Sequence, residues 1–163
     1  MIKKIIKNIS NIPGWRTNRK IVVIESDDWG SIRMPSKNAY NNLLENGLSM
    51  GEGSGARYNM FDTLADSDDL NALFEVLTNV KDFKGNFAKF TALSLVANPD
   101  FDKIKDNNFN CYYYETFSKT LERYKKHGAF EMWQEGIKAG VFIPEFHGRE
   151  HLNIQVWLRA LQI

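Results

Sequence analysis

The chain has 163 residues, of which 43% are hydrophobic and 25% are charged, and its formal net charge is +1. Length and composition predict one globular domain over residues 1–163, and the near-neutral charge argues against nucleic acid or an acidic membrane surface as a partner. A single cysteine, Cys111, excludes an internal disulfide, and no apolar stretch reaches the roughly 18 residues of a transmembrane helix.

Hydrophobic periodicity, helix caps and turn residues predict strands that alternate with helices. In chain order the elements are a basic lead-in over residues 1–19, a strand over 21–24, a helix over 35–47, a loop over 48–61, a helix capped by Asp66, a strand over 90–97, helices over 115–126 and 130–139, a strand over 141–146 and a helix over 149–161. The apolar part of the lead-in is too short for a signal peptide, so we expect a cytoplasmic protein.

The alternation of strands and helices predicts an α/β fold with parallel strands. Residues 21–24, Ile-Val-Val-Ile, are β-branched without polar alternation, which is typical of a strand buried on both faces. Pro144 favours an edge position for the last strand, because proline cannot donate a ladder hydrogen bond. Three strands leave a thin sheet with two open edges, so we expect the chain to associate with a second copy or with the remaining part of a longer protein.

Side chains of metal-binding type follow the first and the last predicted strands. Asp27 and Asp28 follow the first, and His147 and His151 follow the last, four residues apart, where a helix would place them on one face. Taken singly, each pair has a simpler explanation: two histidines four residues apart often occur by chance, and paired acids after a strand often cap the next helix. Because parallel strands bring their carboxyl ends to one edge, Asp28 and both histidines can form an open metal site with Asp27 beside it as a base.

The same residues resemble two motifs of a known family. Residues 26–30, Ser-Asp-Asp-Trp-Gly, resemble the first motif of the polysaccharide deacetylases (carbohydrate esterase family four), Thr-Phe-Asp-Asp-Gly. Residues 147–151, His-Gly-Arg-Glu-His, resemble their second motif, His-Ser/Thr-x-x-His. The resemblance implies a distorted (β/α) barrel, of which this chain would form an incomplete N-terminal portion. It also implies metal-dependent removal of acetyl groups from N-acetylated sugars or polysaccharide.

Residue roles follow from the resemblance by position. It implies that Asp27 is the general base and that Asp28, His147 and His151 bind one divalent metal ion, with zinc as the expected ion. The expected partner is a carbohydrate substrate, with neither nucleic acid nor membrane.

The chain also departs from the family pattern. Trp29 stands before the glycine of the first motif, and Gly148 replaces the Ser/Thr of the second. The family's later motifs, which supply an arginine, an acetyl pocket and an acid histidine, have no counterpart here, and the remaining histidine, His127, lies at a predicted helix end. Trp29 and Arg33 are candidates for sugar contacts, because aromatic faces and planar donors suit sugars, although packing and surface charge explain them as well.

Two other functions fit parts of the pattern. Residues 147–151 also match His-x-x-Glu-His, the inverted zinc-protease motif, in which Glu150 would be the base. Gly148 weakens a helix in that segment, and this interpretation leaves Asp27 and Asp28 without a role. The other alternative is a truncated, non-catalytic domain that keeps the deacetylase-like fold.

Overall fold

A computed structural model describes residues 2–10 and 12–162. Within these ranges the chain forms, in order, α1 (Ile2–Ser10), β1 (Glu25–Trp29), α2 (Lys37–Glu45), α3 (Gly53–Phe61), α4 (Ser67–Asn79), β2 (Phe90–Leu95), β3 (Ala97–Pro99), α5 (Phe101–Asp106), β4 (Tyr114–Thr116), α6 (Phe117–Arg123), α7 (Ala129–Lys138), β5 (Phe142–Gly148) and α8 (Ile154–Leu161). None of these helices is both long and apolar enough to cross a membrane.

The sheet is parallel, as predicted for an α/β fold, with the strand order β1–β2–β5. Strands β3 and β4 form a separate antiparallel pair. Pro144 pairs with Ala92 in the edge strand β5, which agrees with the edge position that proline predicts. The described residues do not close a barrel, since the sheet keeps two open edges, so the complete barrel stays a prediction.

The first predicted strand is displaced along the sequence. Strand β1 covers residues 25–29, whereas residues 21–24 are not part of a strand and Val22 is 85% exposed. The prediction was wrong because an apolar run indicates only a preference for burial. Whether the run is buried depends on another element that covers it. No described strand pairs with the outer edge of β1, so this run stays in solvent.

Helices α2, α4 and α7 occupy the predicted places, and α6 is shorter than predicted because β4 takes the start of its segment. Helix α4 begins at the predicted cap, Asp66, whose side chain accepts a hydrogen bond from the Asp69 N–H, and the Asp69 side chain accepts from the Asp66 N–H in return, which completes a capping box. The core lies between the sheet and α4, α6 and α7. Its most buried members are Leu64, Leu70, Leu77, Ala92, Leu121, Ala129, Val141 and Phe142.

Two other predicted elements were wrong. Residues 48–61 contain helix α3, because glycine weakens a helix by only about 1 kcal/mol relative to alanine and does not forbid one. The predicted helix over 149–161 begins only at Ile154, where the Asn153 side chain caps it by accepting from Val156 N–H at 3.2 Å. This later start leaves the segment after β5 free to form a loop.

A charged cluster fastens α5 and β4 to α6. The Arg123 guanidinium donates to Glu115 at 2.7 Å and to Asp100 at 3.4 Å, and it also pairs with Asp102. Lys103 Nζ lies 3.0 Å from the other oxygen of Asp100, which is almost buried. Burial raises the pKa of Asp100. The hydrogen bonds from Lys103 and the charges of Lys103 and Arg123 lower this pKa by more than burial raises it, so the net shift is downward.

The Asp100 carboxylate makes the fold sensitive to acid. Because its pKa is lower in the folded chain, its contribution is fully present above the unfolded pKa and is lost as the pH falls through the folded value. We expect Asp100→Asn to lower the free energy of unfolding by about 1–3 kcal/mol at neutral pH. The difference should shrink in urea melts at decreasing pH. A constant difference would show that the charge of Asp100 is not involved.

Candidate metal centre

The predicted site residues lie at the carboxyl end of the parallel sheet, on its two outer strands and on one loop. Asp27 and Asp28 lie on β1, His147 lies on β5, and His151 lies in the loop before α8. The central strand β2 separates β1 from β5, and all three strands point the same way. Their carboxyl ends therefore share one edge, and side chains from both outer strands reach across the end of β2.

An irregularity in β1 sets the direction of the two carboxylates. The pairing with β2 shifts register between Ser26 and Trp29, and Asp28 has φ 58° in the left-handed region. Asp27 Oδ1 accepts a hydrogen bond from the Asp28 N–H at 3.0 Å. A bulge of this kind turns a side chain away from its regular alternation, at a cost of about 1–3 kcal/mol for a residue other than glycine. Asp28 therefore faces the histidines.

Gly148 occupies a backbone position that disfavours the Ser/Thr of the deacetylase motif. Its φ is 155°, and a Cβ atom there would contact Leu95 at 3.4 Å. His151 also has a positive φ, 50°, and it lies outside any helix. The two histidines thus approach each other through a strand end and a tight loop, with ring centroids 4.7 Å apart. The helical spacing assumed from the sequence was wrong, although the rings still meet.

The donor atoms of Asp28, His147 and His151 lie within 4.8 Å of one another. Asp28 Oδ1 is 3.1 Å from His151 Nδ1 and 3.8 Å from His147 Nε2. Tetrahedral ligands at about 2.0–2.2 Å from a zinc ion are roughly 3.3–3.6 Å apart. One carboxylate and two imidazoles at these distances suit a divalent ion without a large rearrangement.

The Nε2 atom of His147 is buried and makes no hydrogen bond among the described residues. Asp27 Oδ1 is only 3.0 Å away, so the atom has a neighbouring acceptor but not the alignment of a hydrogen bond. A buried polar atom without a hydrogen-bond partner lowers the stability of the folded protein, because its lost hydration is not replaced. A cation between Asp28 and the two histidines would satisfy it, so the residues fit a metal ion.

Arg33 holds the far side of the Asp28 carboxylate. Its Nη2 atom donates to Asp28 Oδ2 at 2.9 Å, while Oδ1 of the same carboxylate faces His147 and His151. Arg33 was predicted only as a sugar contact, and its sequence position gave no sign of this pairing. The two oxygens of Asp28 therefore have different partners, which fixes the plane of the carboxylate.

A cleft of about 800 Å³ opens beside the two aspartates. Arg33 lines it together with Arg57 and Tyr58 of α3, in the segment that the sequence predicts to be a loop and in which these two side chains have no distinguishing motif. Trp29 also borders the cleft, but its indole ring packs into the core, with its centroid 5.3 Å from those of Phe90 and Phe142. The Tyr58 ring, which is 70% exposed, is therefore a more accessible aromatic face in this cleft than the Trp29 ring.

Glu150, the base of the protease alternative, belongs to a different cluster. Its side chain is nearly buried and is bound by the Arg149 guanidinium, which stacks 4.8 Å from the Tyr114 ring. Burial, together with the charge of Glu150, raises the pKa of the Tyr112 hydroxyl. The group of possible metal ligands in the described residues includes Asp28 and does not include Glu150.

The loop after Asp28 is held by a buried amide. Asn98 of β3 accepts a hydrogen bond from the Ile32 N–H at 3.0 Å and donates to the Gly30 carbonyl at 2.7 Å. Gly30 has φ 84°, and a Cβ atom there would lie 2.7 Å from the Leu95 carbonyl oxygen. Only glycine fits this approach of the loop to β2.

Gly30→Ala should therefore destabilise the protein through both strain and a backbone clash. A left-handed conformation costs a residue with a Cβ atom about 1–2 kcal/mol. Gly47→Ala is the matched control, because Gly47 has φ 77° and open space around its Cβ position. In urea unfolding, we expect the Gly30 variant to lose at least about 1 kcal/mol more than the Gly47 variant. Equal losses would show that the contact with Leu95 is unimportant.

Comparisons with protein-family models, with curated proteins and with solved structures found no match to this chain.

Proposed function

We propose that the chain is a metal-dependent hydrolase that removes acetyl groups from N-acetylated sugars, with zinc as the preferred ion. The observation that carries the proposal is the buried Nε2 atom of His147, which makes no hydrogen bond within the described ranges and lies 3.8 Å from Asp28 Oδ1 in a group completed by His151. The two motif resemblances and the adjacent cleft give this cluster its suggested chemistry.

A divalent ion at such a site supplies Lewis acidity toward a carbonyl oxygen and makes water more acidic. The chain's own contribution begins with Asp27, which is outside the three-ligand group, has a 60% exposed side chain and borders the cleft. A carboxylate in that place can accept the proton of a water molecule that attacks the acetyl carbon. Asp28 stays fixed by Arg33 and serves as a ligand.

Breaking a sugar amide also requires a proton for the departing amine. His127 is the remaining histidine, and it is exposed between α6 and α7, outside the ligand group. The described residues therefore supply a general base beside the cleft, but they supply no histidine there, apart from the two metal ligands, that could act as the general acid. General acid catalysis contributes typically 10²–10⁴-fold, so we expect slow cleavage of amides.

The test compares two acetyl compounds that differ in their need for that proton. An aryl acetate releases a stable anion, whereas an N-acetylglucosamine oligomer must release an amine. We expect the zinc-loaded chain to hydrolyse the aryl acetate readily and the oligomer slowly. Asp27→Asn should lower both rates by about 10²–10⁴-fold while zinc content stays unchanged.

The controls separate the competing functions. Hydrolysis that continues without zinc, or that survives Asp27→Asn, would overturn the proposal. Zinc binding with neither activity would favour the truncated, non-catalytic domain. Peptide cleavage that depends on Glu150 would favour the protease, for which the pairing of Glu150 with Arg149 gives no support.

A further inference from the structure

The basic residues of the chain are strongly segregated. Residues 1–24 contain six lysine and arginine residues and no acidic residue, whereas residues 25–163 contain 15 basic and 20 acidic residues. The net charge of +1 hides this contrast. The net charge therefore gives no reason to exclude an acidic membrane surface as a partner. A block of positive charge at one end is a common feature of segments that bind anionic surfaces.

Helix α1 arranges these charges opposite an apolar face. Ile2, Ile5, Ile6 and Ile9 recur at the spacing of one helical face, and the lysines of the helix project from the opposite side. All four isoleucines are at least half exposed, so the described part of the chain leaves the apolar face uncovered. An exposed stripe of four isoleucines needs an apolar partner in water.

The segment that follows the helix continues the same pattern. Trp15 is 79% exposed, and Arg16, Arg19 and Lys20 lie close to it in sequence. Tryptophan prefers the boundary between lipid headgroups and acyl chains, and neighbouring cations add attraction to anionic headgroups. Two copies of α1 packed through their isoleucines would cover the apolar face but would leave Trp15 and the lysines of the opposite face without a partner, whereas an anionic lipid surface engages all three features.

We propose that α1, together with residues 12–20, forms an interfacial anchor that lies on the surface of an anionic lipid bilayer. Helix α1 lies in the membrane plane, its isoleucines enter the acyl boundary, and its lysines stay among the headgroups. The anchor does not cross the bilayer, and it places the α/β body at the membrane surface. This inference is independent of the hydrolase chemistry.

The test uses the full chain with vesicles of phosphatidylcholine that contain roughly 30% phosphatidylglycerol, because the expected attraction is electrostatic. We expect co-sedimentation with these vesicles, at least tenfold weaker binding to pure phosphatidylcholine, and a blue shift of Trp15 fluorescence. Trp15→Phe should abolish the shift. Equal binding to both vesicle types, or no binding to either, would overturn the proposal.

Two variants separate the apolar and the charged contributions. Ile5→Gln with Ile9→Gln should weaken binding at least tenfold, and Lys4→Glu with Lys7→Glu should weaken it by at least about 25-fold, from about fivefold for each lost cation. Lys119→Glu with Lys138→Glu makes the same charge change on exposed positions of the body and should leave binding nearly unchanged. Equal losses in this control would show that net charge, and not α1, determines binding. Concentration-dependent self-association that the isoleucine variant abolishes would overturn the proposal in favour of a second copy.

Discussion

His147→Ala is expected to abolish tight metal binding by this chain. The wild-type chain should bind about one zinc ion, because Asp28, His147 and His151 present their donor atoms within 4.8 Å of one another. The variant loses the buried Nε2 atom and keeps only two of the three ligands. Loss of a residue that only hydrogen-bonds to a metal ligand weakens metal affinity by about 10–100-fold. Removal of a ligand itself should therefore lower the zinc affinity by at least about 100-fold. Calorimetric titration of the metal-free chain with zinc measures the change.

His127→Ala provides the matched control, since His127 is exposed and outside the ligand group. It removes the same side chain and should leave the affinity and stoichiometry unchanged. Glu150→Gln should also retain zinc, whereas Asp28→Asn should lose most of the affinity. If His147→Ala bound zinc as tightly as the wild type, the cluster would not be the metal site. A loss with Glu150→Gln would instead support the inverted protease motif.

The chain is also expected to self-associate in solution through its open sheet edge. Strand β1 has no partner on its outer side among the described residues, and the apolar run over residues 21–24 lies exposed next to it. Unpaired backbone groups and an apolar patch at one edge favour pairing with another strand. We expect the apparent mass in sedimentation velocity to rise with protein concentration.

Lysines placed in this run should prevent that association. Val22→Lys with Val23→Lys puts charge where a second strand would pair, and it should shift the dissociation constant upward by at least tenfold. Val76→Lys with Val156→Lys makes the same chemical change at exposed positions of α4 and α8 and should have little effect. A monomer at every concentration would show that the open edge is protected without a partner, and equal effects of the two variants would point to general charge repulsion.

The sequence alone was sufficient for the class of fold and for the candidate ligands. Alternation of apolar strands with capped helices indicates parallel β/α units, and parallel strands must end at one edge of the sheet. Asp28, His147 and His151 could therefore be brought together on topology alone, and Asp66 could be assigned as a helix cap from its neighbours. These features depend on local chemistry and on chain direction, both of which are written directly in the residues.

The tertiary structure decided which apolar residues are buried and how the site is held. Residues 21–24 have the pattern of a buried strand but no covering element, so burial depended on neighbours that local sequence does not specify. The left-handed turn at Asp28 and its pairing with Arg33 arise from the register of β1 against β2 and from the loop that follows. His151 meets His147 through a loop and not through a helix, because Asn153 starts α8 later. Such contacts join residues that are distant in sequence, and their free energy appears only when the elements pack together.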